Sequence, residues 1–151
     1  MQVINRINTR YMKRIYLPVL TILFFTTTAM KCYKDTPDCH HGIGLLNTSP
    51  TAVYYLKSMD SSLDGTLDPK LQQQGDESKC FSNNVHNIST SYCYEKEIIS
   101  SKHEAFYFYF FDVSVIDNTP WDSIVTRKQY LKKVKYTLND FQQSGRMVYY
   151  P

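Results

Sequence analysis

The strongest periodic signal in the chain lies at residues 105–111, where Phe106, Phe108 and Phe110 alternate with Tyr107 and Tyr109. Successive side chains of a strand point to opposite faces, so this spacing predicts a strand with a phenylalanine face and a tyrosine face. Its aromatic density makes it the expected central strand, with Phe in the core and Tyr sending hydroxyls to water or to a second layer. Weaker alternation at 43–47 and 52–56, separated by the turn-forming Thr48-Ser49-Pro50, predicts a β-hairpin. Residues 130–136 and 147–150 predict two further strands, and the final Pro151 suits the last one to an edge or an end.

Helix starts are marked by polar caps ahead of acidic residues. Ser89-Thr90-Ser91 precedes Glu95 and Glu97, and Thr119-Pro120 precedes Trp121-Asp122, with Thr119 as cap and a run to about Lys128. A third cap, Thr137-Leu138-Asn139-Asp140, opens a short helix that Gly145 should stop. Residues 57–79 are rich in Ser, Asp, Gly and Gln and carry neither period, which predicts a long surface loop with at most one short strand. Such a loop inside a small domain is either functional or mobile. The helices are too short for parallel crossovers, so the expected fold is α+β: a small, mainly antiparallel β-sheet with two or three short helices at its rim, formed by residues 41–151.

The first thirty residues follow a different pattern. Arg6, Arg10, Lys13 and Arg14 precede an apolar run at 15–25, which gives way to Thr26, Thr27, Thr28 and Ala29. Basic, then apolar, then small residues are the order of a secretory signal peptide, here 1–31, and Met12 offers a more compact start than Met1. The run is short of the roughly 20 apolar residues a membrane span needs, and Pro18 and Thr21 interrupt it. Two cleavage readings compete. Thr27-Thr28-Ala29 fits ordinary cleavage, whereas cleavage before Cys32 would leave a cysteine for acylation and anchor the protein to membrane lipid, with 32–40 as a tether. Lys31 stands where a small residue is usual before such a cysteine.

Export also changes the charge. The whole chain is +3, but residues 1–31 hold five of the 17 basic residues and no acidic ones, leaving 12 against 14 and a net −2. The positive balance belongs to the leader, which removes the main argument for nucleic acid as a partner. The Lys132, Lys133, Lys135 cluster is expected to be one solvated face of a strand. Outside the cytoplasm a disulfide is expected among Cys39, Cys80 and Cys93, with Cys80–Cys93 or Cys39–Cys80 as first choices. With Cys32 unacylated, four cysteines allow two bridges.

Several motifs together resemble a family of lipoproteins of Bacteroides and related gut bacteria for which no activity is established. The resemblance is carried by Pro37-Asp38-Cys39-His40, Asn47-Thr48-Ser49 before Val53-Tyr54-Tyr55, and Phe110-Phe111-Asp112 before Pro120-Trp121-Asp122-Ser123-Ile124. It continues through Tyr130-Leu131-Lys132-Lys133, Thr137-Leu138-Asn139-Asp140-Phe141 and the terminal Tyr150-Pro151. It implies a cell-envelope location, acylation at Cys32 and a single folded domain. Lys31 departs from the family's acylation pattern.

Candidate chemistry is sparse. His40-His41 beside Cys39 suggests a metal site, but neighbouring strand residues face opposite ways and no second ligand motif accompanies them. Asp112, Asp117 and Asp122 could serve a hard cation, though acids at helix starts ordinarily act as caps. His86 or His103 could act as base in a hydrolase, but no nucleophile motif or Gly-rich loop is present and no cofactor is implied. The leading expectation is an exported, lipid-anchored, non-catalytic module. It would bind a protein or glycan partner through the long loop and the aromatics Tyr107, Tyr109 and Trp121. The alternatives are an envelope hydrolase and a structural subunit of an envelope complex.

Overall fold

The computed structural model describes residues 34–72, 78–90 and 92–151. The expectations for the leader, its cleavage and Cys32 lie outside the described residues. Among the described residues seven strands form two sheets, and five short helices flank them. The larger sheet contains β2 (Val53–Ser58), β3 (Lys79–Cys80), β5 (Ala105–Asp112) and β6 (Lys132–Thr137), in the order β3-β2-β5-β6 with every pair antiparallel. The smaller sheet places β1 (Gly42–Asn47) between β4 (Asn84–Ser89) and β7 (Met147–Tyr150). β4 is antiparallel to β1, while β7 is parallel to it, with Gly44 opposite Met147 and Asn47 opposite Tyr150. The helices are α1 (Pro69–Gln72), α2 (Tyr94–Ser100), α3 (Val113–Asn118), α4 (Trp121–Arg127) and α5 (Leu138–Gln143). The domain is α+β and mainly antiparallel; α2, α4 and α5 occupy the three positions expected, and α1 and α3 add to them.

β5 lies inside the larger sheet and is buried on both faces. Phe106, Phe108 and Phe110 point into a core shared with Ile43, Leu45 and Val148 of the smaller sheet, Tyr94 and Ile98 of α2, and Phe141 of α5. Tyr107, Tyr109 and Phe111 point the other way, into a second core closed by Leu63 of the long loop, Ile116 of α3 and Ile124 of α4. The larger sheet is thus a middle layer. Each large apolar side chain buried in these two cores stabilises the fold by roughly 1.5–3 kcal/mol.

Local chemistry accounts for the helix ends. Thr137 and Asp140 form a capping box: the Asp140 amide donates to Thr137 Oγ1 at 3.3 Å and Asp140 Oδ2 accepts the Thr137 amide at 2.7 Å. Gly145 follows α5 at a φ of 63°, the left-handed conformation that ends helices. α4 begins one residue later than the sequence suggests, with Pro120 rather than Thr119 at the cap. α2 is capped by Cys93, without a side-chain hydrogen bond, rather than by the preceding Ser and Thr residues; Ser91 lies outside the described residues. α3 is capped by Asp112, which accepts from the Ser114 amide at 2.7 Å.

Three sequence expectations are corrected. β1 and β2 do not form a hairpin; they belong to different sheets. The turn between them is a corner built on the fully buried Asn47, whose amide donates to the carbonyls of Thr51 at 2.8 Å and Cys80 at 3.2 Å. Its oxygen accepts the amide of Ser49 at 2.9 Å and the hydroxyl at 2.7 Å. Secondly, the three lysines of β6 do not share a face. Lys132 lies opposite Phe110, whereas Lys133 and Lys135 lie opposite Tyr109 and Tyr107. Thirdly, the 57–79 loop is shorter than expected: β2 extends through Ser58, α1 occupies Pro69–Gln72 and β3 begins at Lys79, with 73–77 outside the described residues. Among the described residues no helix is long and apolar enough to cross a membrane.

Candidate functional site

Two side-chain clusters have the makings of a site. The first forms where the long loop crosses the tyrosine face of the larger sheet. Alternate residues of this loop, 58 to 64, are Ser or Asp, and the first three each accept from the backbone amide two positions on. Ser58 Oγ accepts from the Asp60 amide at 3.0 Å, Asp60 Oδ1 from the Ser62 amide at 3.2 Å, and Ser62 Oγ from the Asp64 amide at 3.0 Å. These Asx and Ser turns hold the segment without regular structure. The sheet then fixes it from below: Tyr109 Oη and Lys133 Nζ both donate to the Ser61 carbonyl, at 2.7 and 2.5 Å, and Trp121 Nε1 donates to the Thr66 carbonyl at 2.9 Å.

Between this loop and the stretch from Val125 to Lys133 lies a cavity of about 220 Å³, lined by Ser61, Ser62, Asp64, Tyr130, Lys128 and Lys133, with Tyr109 and Leu63 beneath. Tyr130 meets Tyr109 edge to face at 5.4 Å. The Lys133 ammonium lies over the Tyr107 and Tyr109 rings at 4.9 and 5.4 Å. Burial, with smaller contributions from Tyr130 and nearby carboxylates, pushes the Tyr109 phenol up to about 12, so it stays a protonated donor to the loop. The cavity thus offers hydroxyls, an ammonium and a carboxylate around one aromatic edge, which suits a small hydroxylated ligand.

Tyr107, Tyr109 and Trp121 are therefore brought together with the long loop, but not as an exposed platform. Tyr107 and Tyr109 are buried and Trp121 is half-buried. Tyr109 and Trp121 hold the loop, and the loop, with Tyr130, Lys128 and Lys133, carries the polar surface. The Ser and Asp spacing of the loop was a usable sequence signal; the lysines and Tyr130, about 70 residues further on, had none.

The second cluster surrounds the entry to β1. Cys39 and Cys93 form a disulfide with a Cα–Cα distance of 5.0 Å. This replaces both pairings chosen from the sequence. Cys80 cannot take part, because β3 holds it beside β2 and in the core, where its thiol faces the carbonyls of Leu45, Phe81 and Asn84. It is a free cysteine, and burial raises its pKa above the ordinary thiol value. Of the expected tether 32–40, the described residues 34–40 are folded back from Asp35 onward. Thr36 and Cys39 exchange backbone hydrogen bonds, Asp35 Oδ1 accepts the His41 amide at 2.9 Å, and Arg146 meets Asp35 at 3.4 Å.

The two histidines, just ahead of β1, diverge. His40 turns to α2, where both its amide, at 2.9 Å, and its ring Nδ1 meet the Glu95 carboxylate. Burial pushes Glu95 up, but those His40 bonds together outweigh it and hold the carboxyl below the ordinary glutamate value. Burial and then the Glu95 charge push the neighbouring Tyr94 phenol up to about 12. His41 turns instead to the disulfide, with Nε2 3.4 Å from Cys39 Sγ.

The remaining candidates have structural surroundings. Asp112 caps α3, Asp117 pairs with Lys70 at 3.0 Å, and Asp122 lies in the first turn of α4. The one group of three or more potential metal ligands found among the described residues is Cys39, His41 and Cys93. His103 lies 3.7 Å from Asp60 and edge-on to Tyr107 at 6.0 Å, and His86 packs against Tyr55 at 5.3 Å. No family model, curated protein or solved structure matches the chain.

Proposed function

We propose that the protein works outside the cytoplasm as a non-catalytic binding module of the cell envelope, held at a membrane by acylated Cys32, and that the loop cavity is its binding site. The observation that carries this reading is the cavity itself, whose polar rim is presented by a loop that a tyrosine, a tryptophan and a lysine of the sheet side hold in place. Its 220 Å³ is below the range of about 300–1,000 Å³ typical of drug-sized ligands. That favours one small polar unit, and of the two partner classes, protein and glycan, a terminal sugar residue is the better match. The Cys39–Cys93 bridge supports the compartment, since disulfides persist where the medium is oxidising.

The binding test is an immobilised-glycan array followed by calorimetry with the best sugar. Wild type should bind, and Tyr130→Ala or Lys133→Ala should weaken binding by about tenfold or more, the effect of losing one polar contact in a desolvated site. Binding indifferent to both substitutions would move the site elsewhere on the domain. For the anchor, intact-mass analysis of the membrane fraction from the native host should find acyl chains on Cys32. A free or disulfide-bonded Cys32 thiol would rule that anchor out.

A further inference from the structure

We infer that Cys39, His41 and Cys93 form a second, redox-gated site that takes a soft d10 cation, Zn²⁺ or Cu⁺, when the disulfide is opened. This inference does not depend on the loop cavity. The donor atoms of the three residues lie within 4.8 Å of one another. Zinc–thiolate and zinc–imidazole bonds of about 2.3 and 2.0–2.1 Å place S and N roughly 3.5 Å apart on a tetrahedron. Cys39 Sγ and His41 Nε2 already stand at 3.4 Å. The two sulfurs must separate, from bonding distance to about 3.8 Å, with His41 Nε2 within 4.8 Å of both. The frame around them is fixed independently of the bridge: Asp35 accepts the His41 amide, His40 is bound to Glu95, and the Tyr94 amide donates to the His40 carbonyl at 3.0 Å.

Access is open. The half-buried His41 lines a groove of about 470 Å³ across one face of the smaller sheet, together with Gly44, Arg146 and Met147. Three protein ligands leave a fourth position for water or a solute.

The chemistry balances with a dithiol reductant. Its thiolate attacks one sulfur of the bridge, and its second thiol resolves the mixed disulfide. The Cys39–Cys93 bond is broken, each cysteine gains a hydrogen, and the reductant leaves as a disulfide. The cation then displaces both thiol protons to solvent, while His41 donates the lone pair of a neutral ring.

The full chain, reduced with a phosphine and exchanged into oxygen-free buffer, would be titrated with Zn²⁺ and Cu⁺ against chromophoric chelators, with Co²⁺ as a spectroscopic stand-in. The reduced chain should take one equivalent, with a thiolate-to-cobalt charge-transfer band, and the oxidised chain none. Cys32→Ala and Cys80→Ala should leave binding unchanged. Cys39→Ala should abolish the band, and His41→Ala should weaken binding by about tenfold or more; His41→Asn serves if the alanine variant does not fold. A reduced chain that binds neither cation overturns the inference. So does binding that is unchanged by loss of His41 or that follows Cys32 or Cys80. Circular dichroism completes the test: a reduced chain that unfolds and is not refolded by either cation also overturns it.

Discussion

The two faces of β5 are made from almost the same aromatic rings and have been put to different uses. On the phenylalanine face Phe106, Phe108 and Phe110 pack among core side chains, with Phe108 edge-on to Tyr136 at 5.9 Å and Phe141 at 6.4 Å, and the Lys57 ammonium covers the Phe106 ring at 4.4 Å. On the tyrosine face, Tyr109 is as buried as its neighbours, yet its hydroxyl reaches out to a loop carbonyl. The first face holds the two sheets together; the second holds a loop over a cavity. The difference of one oxygen atom per ring divides stability from presentation, because a phenol can be buried and still bond at its tip, whereas a phenylalanine can only be packed.

The largest expected effect belongs to the first face. Phe108→Ala should cost about 3–5 kcal/mol of unfolding free energy, measured by denaturant titration, since the site is closed on every side and cannot collapse onto the void. A loss under about 1 kcal/mol would mean that the space between the sheets is not close-packed. The disulfide comes next, and it lies on the same side, tying α2 to the entry of β1. Cys39→Ala with Cys93→Ala opens a loop across a sequence separation of 54 residues. The chain-entropy argument sets its contribution at roughly 4 kcal/mol within a usual range of 2–5, and tyrosine-face variants should not alter it.

How much of this could be read in the sequence follows the same division. The alternation at 105–111 located β5 and assigned its faces, and Thr137 with Asp140 located α5, because in each case the signal lies within a few neighbouring residues. β4 passed unnoticed because only Ile88 among its residues is buried, and Val85 is half-exposed. A corner between two sheets looks like a hairpin until Asn47 is known to be buried, since Thr48-Ser49-Pro50 serves either geometry. The disulfide pairing was equally hidden: it depends on which sheet receives Cys80, a tertiary fact that spacing does not encode. Tyr107 and Tyr109 proved buried and Trp121 half-buried, because aromatic content does not reveal which ring ends at the surface.

Asn47→Ala tests the joint between the two regions. Removing the side chain strands the buried acceptors and donors at Thr51, Cys80 and Ser49, at a cost of about 1–3 kcal/mol, and should move both cores together in a thermal unfolding scan. Tyr109→Phe should do less, about 1 kcal/mol or under, because the ring stays packed and one neutral hydrogen bond is lost. Its mark should be local. Hydrogen exchange should quicken at the amides of Asp60, Ser62 and Asp64, while the amides of β1 and β7 keep their protection.

The smallest effect is set by acid and falls on the phenylalanine side. Glu95 is held below its ordinary pKa by the His40 amide and ring, which outweigh the opposing effect of burial. A carboxyl depressed in the folded state contributes stability that is fully present above its unfolded value of about 4.3 and is lost as pH falls through the folded value. Wild type should therefore lose stability below about pH 4.3 more steeply than Glu95→Gln, when midpoints are measured in steps down to acid. The comparison is needed because Asp112 and Asp140 are also depressed by hydrogen bonds from Ser114 and Thr137, and they give both proteins the same background slope. Parallel curves would show that Glu95 is no better bonded folded than unfolded. The tie from His40 to α2 would then rest on the disulfide and on the Tyr94 amide that donates to the His40 carbonyl.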